Sequence, residues 1–146
     1  MKHLSYPKIG QFRQVIREVA LNSSYKGRDE DGKAIYKKGG MLPIINFHGV
    51  IKLHGTNAAV CYTRETGLYF QSRSKVITID DDNAGFANFA SERAEIFEGL
   101  ISHAAMANFV DLDTHTISIY GEWAGKGIQS GVAISQLEKS FFIFGV

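Results

Sequence analysis

The chain has a single cysteine, Cys61, in 146 residues. A lone cysteine excludes an internal disulfide and fits a reducing compartment. Neither sign of charge dominates. Sixteen basic side chains face fifteen acidic ones, a formal net charge of +1, so no broad basic field announces nucleic acid. Any such contact must use local patches, and these are few: Lys37-Lys38, and Arg73 with Lys75. No apolar run approaches the roughly 20 residues of a membrane span. The opening Met1-Lys2-His3-Leu4-Ser5-Tyr6-Pro7 lacks the apolar block of a secretory leader. A soluble, cytoplasmic protein is the expectation. What is present is an apolar share of 45% and an aromatic share of 12%, which suits a packed globular protein of one domain over residues 1–146.

Periodicity orders the chain. Phe12, Val15, Ile16, Val19 and Ala20 recur at helical spacing and predict a short amphipathic helix over 11–21. Residues 22–40 are polar, and read as a loop or as a hairpin turning at Asp31-Gly32. A long apolar strand is expected over 42–53, with 57–63 as its return partner and the bend at Gly55-Thr56. A third strand follows over 68–73, and 75–79 continues extended. Asp80-Asp81-Asp82-Asn83 offers N-cap residues for a helical segment opened by Phe86 and Phe89. Phe97, Leu100, Ile101, Ala104 and Ala105 predict a helix over 92–108. Ile117 and Ile119 alternate with Thr116 and Ser118, a half-buried strand over 115–120, before a glycine-rich stretch at 121–131 and a last apolar strand at 141–146. The sum is an antiparallel, strand-dominated α+β domain.

The densest chemistry is Lys52-Leu53-His54-Gly55-Thr56-Asn57. A lysine alone on a strand is more often a solvated edge residue that discourages aggregation. Followed two residues later by His-Gly-Thr-Asn, it sits where a strand stops and a tight bend begins, a place suited to holding an amine against a phosphate. A lysine that acts as nucleophile must be neutral, and an ordinary amine with pKa about 10.4 is well under 1% neutral at pH 7. Burial or a nearby cation is then required, and Arg73 in Gln71-Ser72-Arg73-Ser74 is the candidate cation. The second signal is Tyr120-Gly121-Glu122-Trp123-Ala124-Gly125-Lys126-Gly127-Ile128-Gln129, a strand that delivers a carboxylate into a glycine-rich loop. By itself each element has a plainer explanation, a solvated arginine or a solvated strand-end glutamate.

Together these strings resemble the adenylyltransferase domain of the ATP-dependent RNA ligases, in particular the phage RNA ligase 2 and RNA-editing ligase kind. The resemblance runs from about Tyr6 to Val146. It implies an antiparallel-sheet nucleotidyltransferase (ATP-grasp-like ligase) domain, incomplete at its C-terminus. On this match Lys52 is the nucleophile that takes AMP from ATP, with Mg2+, and passes it to an RNA 5′-phosphate before a 3′-hydroxyl seals the strand. Asn57 is expected near the ribose or the incoming strand, and Arg73 on phosphate or ribose. Glu122 is expected on the ribose hydroxyls, and Phe144 stacked on adenine with Phe142 on the same face. The backbone of Ile51 is expected at the adenine edge, although relatives carry glutamate there. His54 and Gly55 complete the nucleotide-binding string. His54 stands where DNA ligases and capping enzymes carry Asp, which favours RNA as substrate. The later metal-associated glutamate and Lys-x-Lys strand of the family are not among these residues. A further C-terminal segment or a second chain is therefore the expected complement, and the location becomes a host cytoplasm if the source is viral. The alternatives are a DNA ligase or capping-type nucleotidyltransferase, and a non-catalytic nucleotide- or RNA-binding remnant or half of a split enzyme.

No residues are assigned as metal ligands. Consecutive Asp80-Asp81-Asp82 point to different sides, and His3, His48, His103 and His115 lack ligand spacing.

Overall fold

A computed structural model describes residues 1–39 and 42–146. The chain divides into two compact units, one of Met1–Tyr6 with Ile51–Val146 and the other of Pro7–Val50.

The larger unit is built on one five-stranded antiparallel sheet. Its strands are β3 (Thr56–Thr63), β4 (Gly67–Ser72), β5 (Val76–Ile77), β6 (Ile117–Ala124) and β7 (Ser140–Gly145), in the order β5-β4-β3-β6-β7. Central β3 pairs with β4 from Ala58 opposite Ser72 to Thr63 opposite Gly67, and with β6 from Thr56 opposite Trp123 to Tyr62 opposite Ile117. Side chains alternate between two faces. Ala58, Val60, Ile117, Ile119 and Trp123 turn to one face. There they pack with Phe86, Ala87 and Ala90 of α2 (Phe86–Ser91) and Phe97, Ile101 and Ala105 of α3 (Ala94–Ala107). The opposite face carries Ala59, Cys61, Tyr69 and Tyr120, with Tyr6 laid across them. Residues 2–4 are tied to this second face. Gln71 exchanges hydrogen bonds with the backbone of Leu4, and the hydroxyls of Tyr69 and Tyr120 donate to the carbonyls of Lys2 (3.0 Å) and Leu4 (2.9 Å). Buried Gln71 is thereby fully used, which removes the cost of an unpaired amide.

The helix expected over 92–108 forms as α3, and the helical segment opened by Phe86 and Phe89 forms as α2, with Glu92 and Arg93 between them. The N-cap position of α2 falls on Gly85 rather than on an aspartate, but Asp82, three residues upstream, reaches into the first turn: Oδ1 accepts the Ala87 N–H at 2.7 Å and Oδ2 the Asn88 N–H at 3.1 Å. Asp81 turns instead to Lys75 in an exposed ion pair.

The smaller unit holds α1 (Phe12–Ser24) and a hairpin of β1 (Tyr25–Arg28) and β2 (Ala34–Tyr36). Of the two readings left open for 22–40, the hairpin is the one formed. Gly32, at φ 78°, lies in the turn, where Asp29 Oδ1 accepts the N–H groups of Asp31 and Lys33. The apolar side of α1, at Ile16, Val19 and Ala20, faces Leu42, Pro43, Ile45 and Phe47 across a small cleft of about 190 Å3.

One expectation fails outright. The described residues of 42–53 form no strand, and Ile44, Val50 and Ile51 are about nine-tenths exposed. The reason is topological. A strand there was to pair with 57–63, but both edges of β3 are occupied, by β4 and by β6. No described helix is long and apolar enough to cross a membrane.

Two outcomes follow. Asp82→Ala should destabilise the protein by about 1–2 kcal/mol, the usual cost of losing a side-chain acceptor at a helix start, as read by urea unfolding. Burial, then the nearby Cys61, pushes the Tyr69 phenol from its ordinary value near 10 to about 12. A raised folded-state value protects the neutral phenol, so its stabilisation is complete below pH 10 and lost as pH climbs toward 12. The melting temperature should fall across that window, and less steeply in Tyr69→Phe.

Candidate active site

The candidate residues lie at the end of the sheet where β3 begins and β6 runs out. Asn57 stands opposite Glu122 across the β3–β6 pair, and Glu122 stands opposite Phe142 across the β6–β7 pair. Directly opposed residues of antiparallel strands project to one face, so Asn57, Glu122 and Phe142 form a row across three strands. Because Ala58 opposes Ser72, Arg73 falls level with Asn57 one step beyond the end of β4, in the exposed β4–β5 turn. The pairing therefore extends the row to a fourth position.

Asn57 and Glu122 are half-buried. Glu122 Oε1 accepts the Gly55 N–H at 2.8 Å, and Gln129 Nε2 donates to the Gly55 carbonyl at 3.1 Å. Both backbone groups of Gly55 are thus clamped, one by β6 and one by the glycine-rich loop that follows it. The close approach needs glycine. A Cβ here would run into the Trp123 carbonyl oxygen and lie 2.7 Å from the Ala124 methyl. Thr56 is fixed on the other side, where its hydroxyl accepts from Asn83 Nδ2 at 3.2 Å. This anchoring decides where the chain enters β3, and so where the residues just before it begin.

Lys52, Ile51 and His54 precede that anchor in extended, irregular chain, and all three are exposed. Lys52 makes no hydrogen bond or ion pair among the described residues. The strand alternation expected to order this stretch is absent, so no single face collects Lys52 with His54. Arg73 is likewise exposed. The structure therefore brings Asn57, Gly55 and Glu122 into direct register, while leaving Lys52 and Arg73 at the margin.

The two phenylalanines divide. Phe142 opposes Glu122, whereas Phe144 packs edge-on against Tyr6, ring centroids 5.2 Å apart, with Tyr6 in turn on Tyr120 at 5.0 Å. A register shift in the β6–β7 pair between Tyr120 and Gly121 separates their settings. Both rings keep more than a third of their surface open, 37% for Phe142 and 48% for Phe144.

Gln129, part of the glycine-rich string, also belongs to the clamp on Gly55. The signal was there, in the Gly-Ile-Gln string, but its target is a carbonyl 74 residues upstream. A cleft of about 360 Å3 lies by Phe89, Arg93, Trp123, Lys126 and Lys139, at the sheet face that holds the helices. No group of three or more His, Cys, Asp or Glu able to hold a metal occurs among the described residues.

Comparison with protein families supplies the context for this row. The RNA ligase family matches residues 49–146. The chain belongs to the RNA ligase family. The match begins just before Lys52 and takes in the Gly55 clamp, Asn57, Arg73, Glu122 and both phenylalanines. It supports a ligase-type function and an RNA substrate. Comparison with curated proteins finds no match.

Gly55→Ala tests the clamp. The added methyl has no room against backbone, so a loss of about 1–3 kcal/mol is expected in chemical unfolding. A variant as stable as the parent would show that the approach of Gly55 to β6 is not tight.

Proposed function

We propose that the protein is an ATP-dependent RNA ligase that forms a lysyl-AMP at Lys52. The observation that carries this reading is the hydrogen bond from Gly55 N–H to Glu122, which joins the Lys52 string to the carboxylate of the glycine-rich motif. In a family whose chemistry is nucleotide transfer, these are the two strings that must meet.

The roles follow from chemistry and position. Glu122 spends Oε1 on the clamp and keeps Oε2 to accept hydrogen bonds from the ribose hydroxyls. Asn57, its neighbour in the row, adds an amide for ribose or incoming strand. An aromatic ring of β7 stacks on adenine, Phe144 as the resemblance implies, or Phe142 as its place beside Glu122 favours. The adenine edge is read by the backbone of Ile51, and Arg73 contacts phosphate through its forked donors. The Lys52 amine, deprotonated, attacks the α-phosphorus of ATP. A P–N bond forms, the P–O bond to pyrophosphate breaks, and one of the amine's two N–H protons passes to solvent. The RNA 5′-phosphate then displaces the lysine from AMP, and an RNA 3′-hydroxyl displaces AMP to join the strands.

A resident Mg2+ does not fit the described donors, since no carboxylate cluster is assembled. The metal expected for the family suits these residues only as a companion of the ATP phosphates. Phosphoryl transfer depends on gathered positive charge. Of the candidate cations, Lys52 and Arg73 both stand open to solvent. Full activity on this reading calls for further cations, from a C-terminal segment or a second chain. The exposure of Lys52 favours one competing reading, a nucleotide-binding protein without catalysis.

Intact-protein mass spectrometry after incubation with ATP and Mg2+ separates the two. One added adenylyl group, absent in Lys52→Ala, is the expected result. An adduct that persists in Lys52→Ala overturns the assignment. Thermal stabilisation by ATP with no adduct at all supports the non-catalytic reading.

A further inference from the structure

The hairpin of the smaller unit lies wholly outside the residues that match the ligase family, 49–146. It is also oddly furnished. Tyr25 and Tyr36 are directly opposed across β1 and β2, their rings 5.9 Å apart in an edge-to-face arrangement. Yet they are 48% and 49% exposed, so neither ring is absorbed by a core. Arg28 opposes Ala34, which shares a face with Tyr36 two residues on, so the guanidinium belongs to the tyrosine face. One of its nitrogens donates to the Gly32 carbonyl at 2.8 Å, which fixes its position while leaving other donors free.

Charge is sorted along the same ribbon. Lys26 lies in β1, and Lys37 and Lys38 follow directly after β2. None of these cations is ion-paired among the described residues. The three acidic residues, Asp29, Glu30 and Asp31, are gathered at the turn, with Asp29 committed to the turn's own N–H groups. The tyrosine end of the ribbon is therefore basic in a protein whose net charge is only +1.

A cross-strand aromatic pair stabilises a hairpin, which accounts for the pairing but not for unpaired cations beside it. Open aromatic faces flanked by free basic side chains are what single-stranded nucleic acid requires. Bases stack on rings, and cations neutralise the phosphates between them. We infer that the Tyr25–Tyr36 face of the hairpin, with Arg28, Lys26, Lys37 and Lys38, is a docking surface for single-stranded RNA. The identity of the polymer rests on the ligase reading above. The stacking requirement selects unpaired over duplex strands, whose bases are not free.

The test is fluorescence anisotropy on the full chain, without ATP, using a labelled oligouridylate of about 12 nucleotides, within the span of sequence-tolerant single-strand sites. Tyr25→Ala with Tyr36→Ala should weaken binding about tenfold or more, and Tyr25→Phe with Tyr36→Phe should hold it within about twofold. Lys37→Glu with Lys38→Glu leaves the ring pair in place, so hairpin loss cannot explain its effect. It should also weaken binding and flatten the salt dependence, by about 1.4 in log–log slope if both lysines meet phosphate. Unchanged affinity in the lysine pair or the alanine pair overturns the inference, as does equal binding of a base-paired duplex. The Lys52 adduct measured on the same variants is independent of RNA. A protein that takes no adenylyl group but binds oligouridylate through the hairpin loses the proposed function and keeps this surface. The reverse outcome does the opposite.

Discussion

The pairing of β3 on both of its edges is the constraint from which the larger unit follows. Once β4 and β6 occupy those edges, β3 is sealed into the centre of the sheet, and Ala58, Ala59, Val60 and Cys61 are wholly buried. Small residues there let α2 and α3 close on one face and the N-terminal segment on the other. Burial also sets the chemistry of the middle of the strand. It pushes the Cys61 thiol upward from its ordinary value, against the opposing effect of the Ser118 hydroxyl that donates to its sulfur. A neutral thiol in such a place is a packing element.

The same pairing fixes the candidate site. Asn57, Glu122 and Phe142 share a row because three strands are hydrogen-bonded in one register, and a slip of one residue would turn the row to the helices. The clamp on Gly55 adds a side-chain link between that row and the string that carries Lys52. A hydrogen bond to an ionised carboxylate contributes about 1.5–3 kcal/mol, and partial exposure places this one toward the lower end. That is enough to fix one glycine. It does not extend three residues back, so Lys52 stays in open, irregular chain.

Much of the order was legible from residue spacing. The strands over 57–63 and 68–73, the turn at Asp31-Gly32, the reach of Asp82 into the first turn of α2 and the apolar spacing of α3 were all written in residues close together in the chain. The failure over 42–53 is instructive because the local signal was strong. Its apolar residues predicted a strand, but a strand exists only where a partner edge is free, and none was. Gln129 was visible as a letter in a motif and invisible as a ligand of Gly55, since nothing in spacing reports a contact 74 residues away.

The sequence by itself determined the family and the motif residues, because those reside in the order and chemical type of adjacent side chains. It also determined the two faces of each strand through period-two alternation. Only the tertiary structure decided which strands would be neighbours, that Glu122 would reach Gly55, and that Phe142 rather than Phe144 would stand beside that carboxylate. Those outcomes depend on edge occupancy and on one register shift, properties of strand pairs that no single strand encodes.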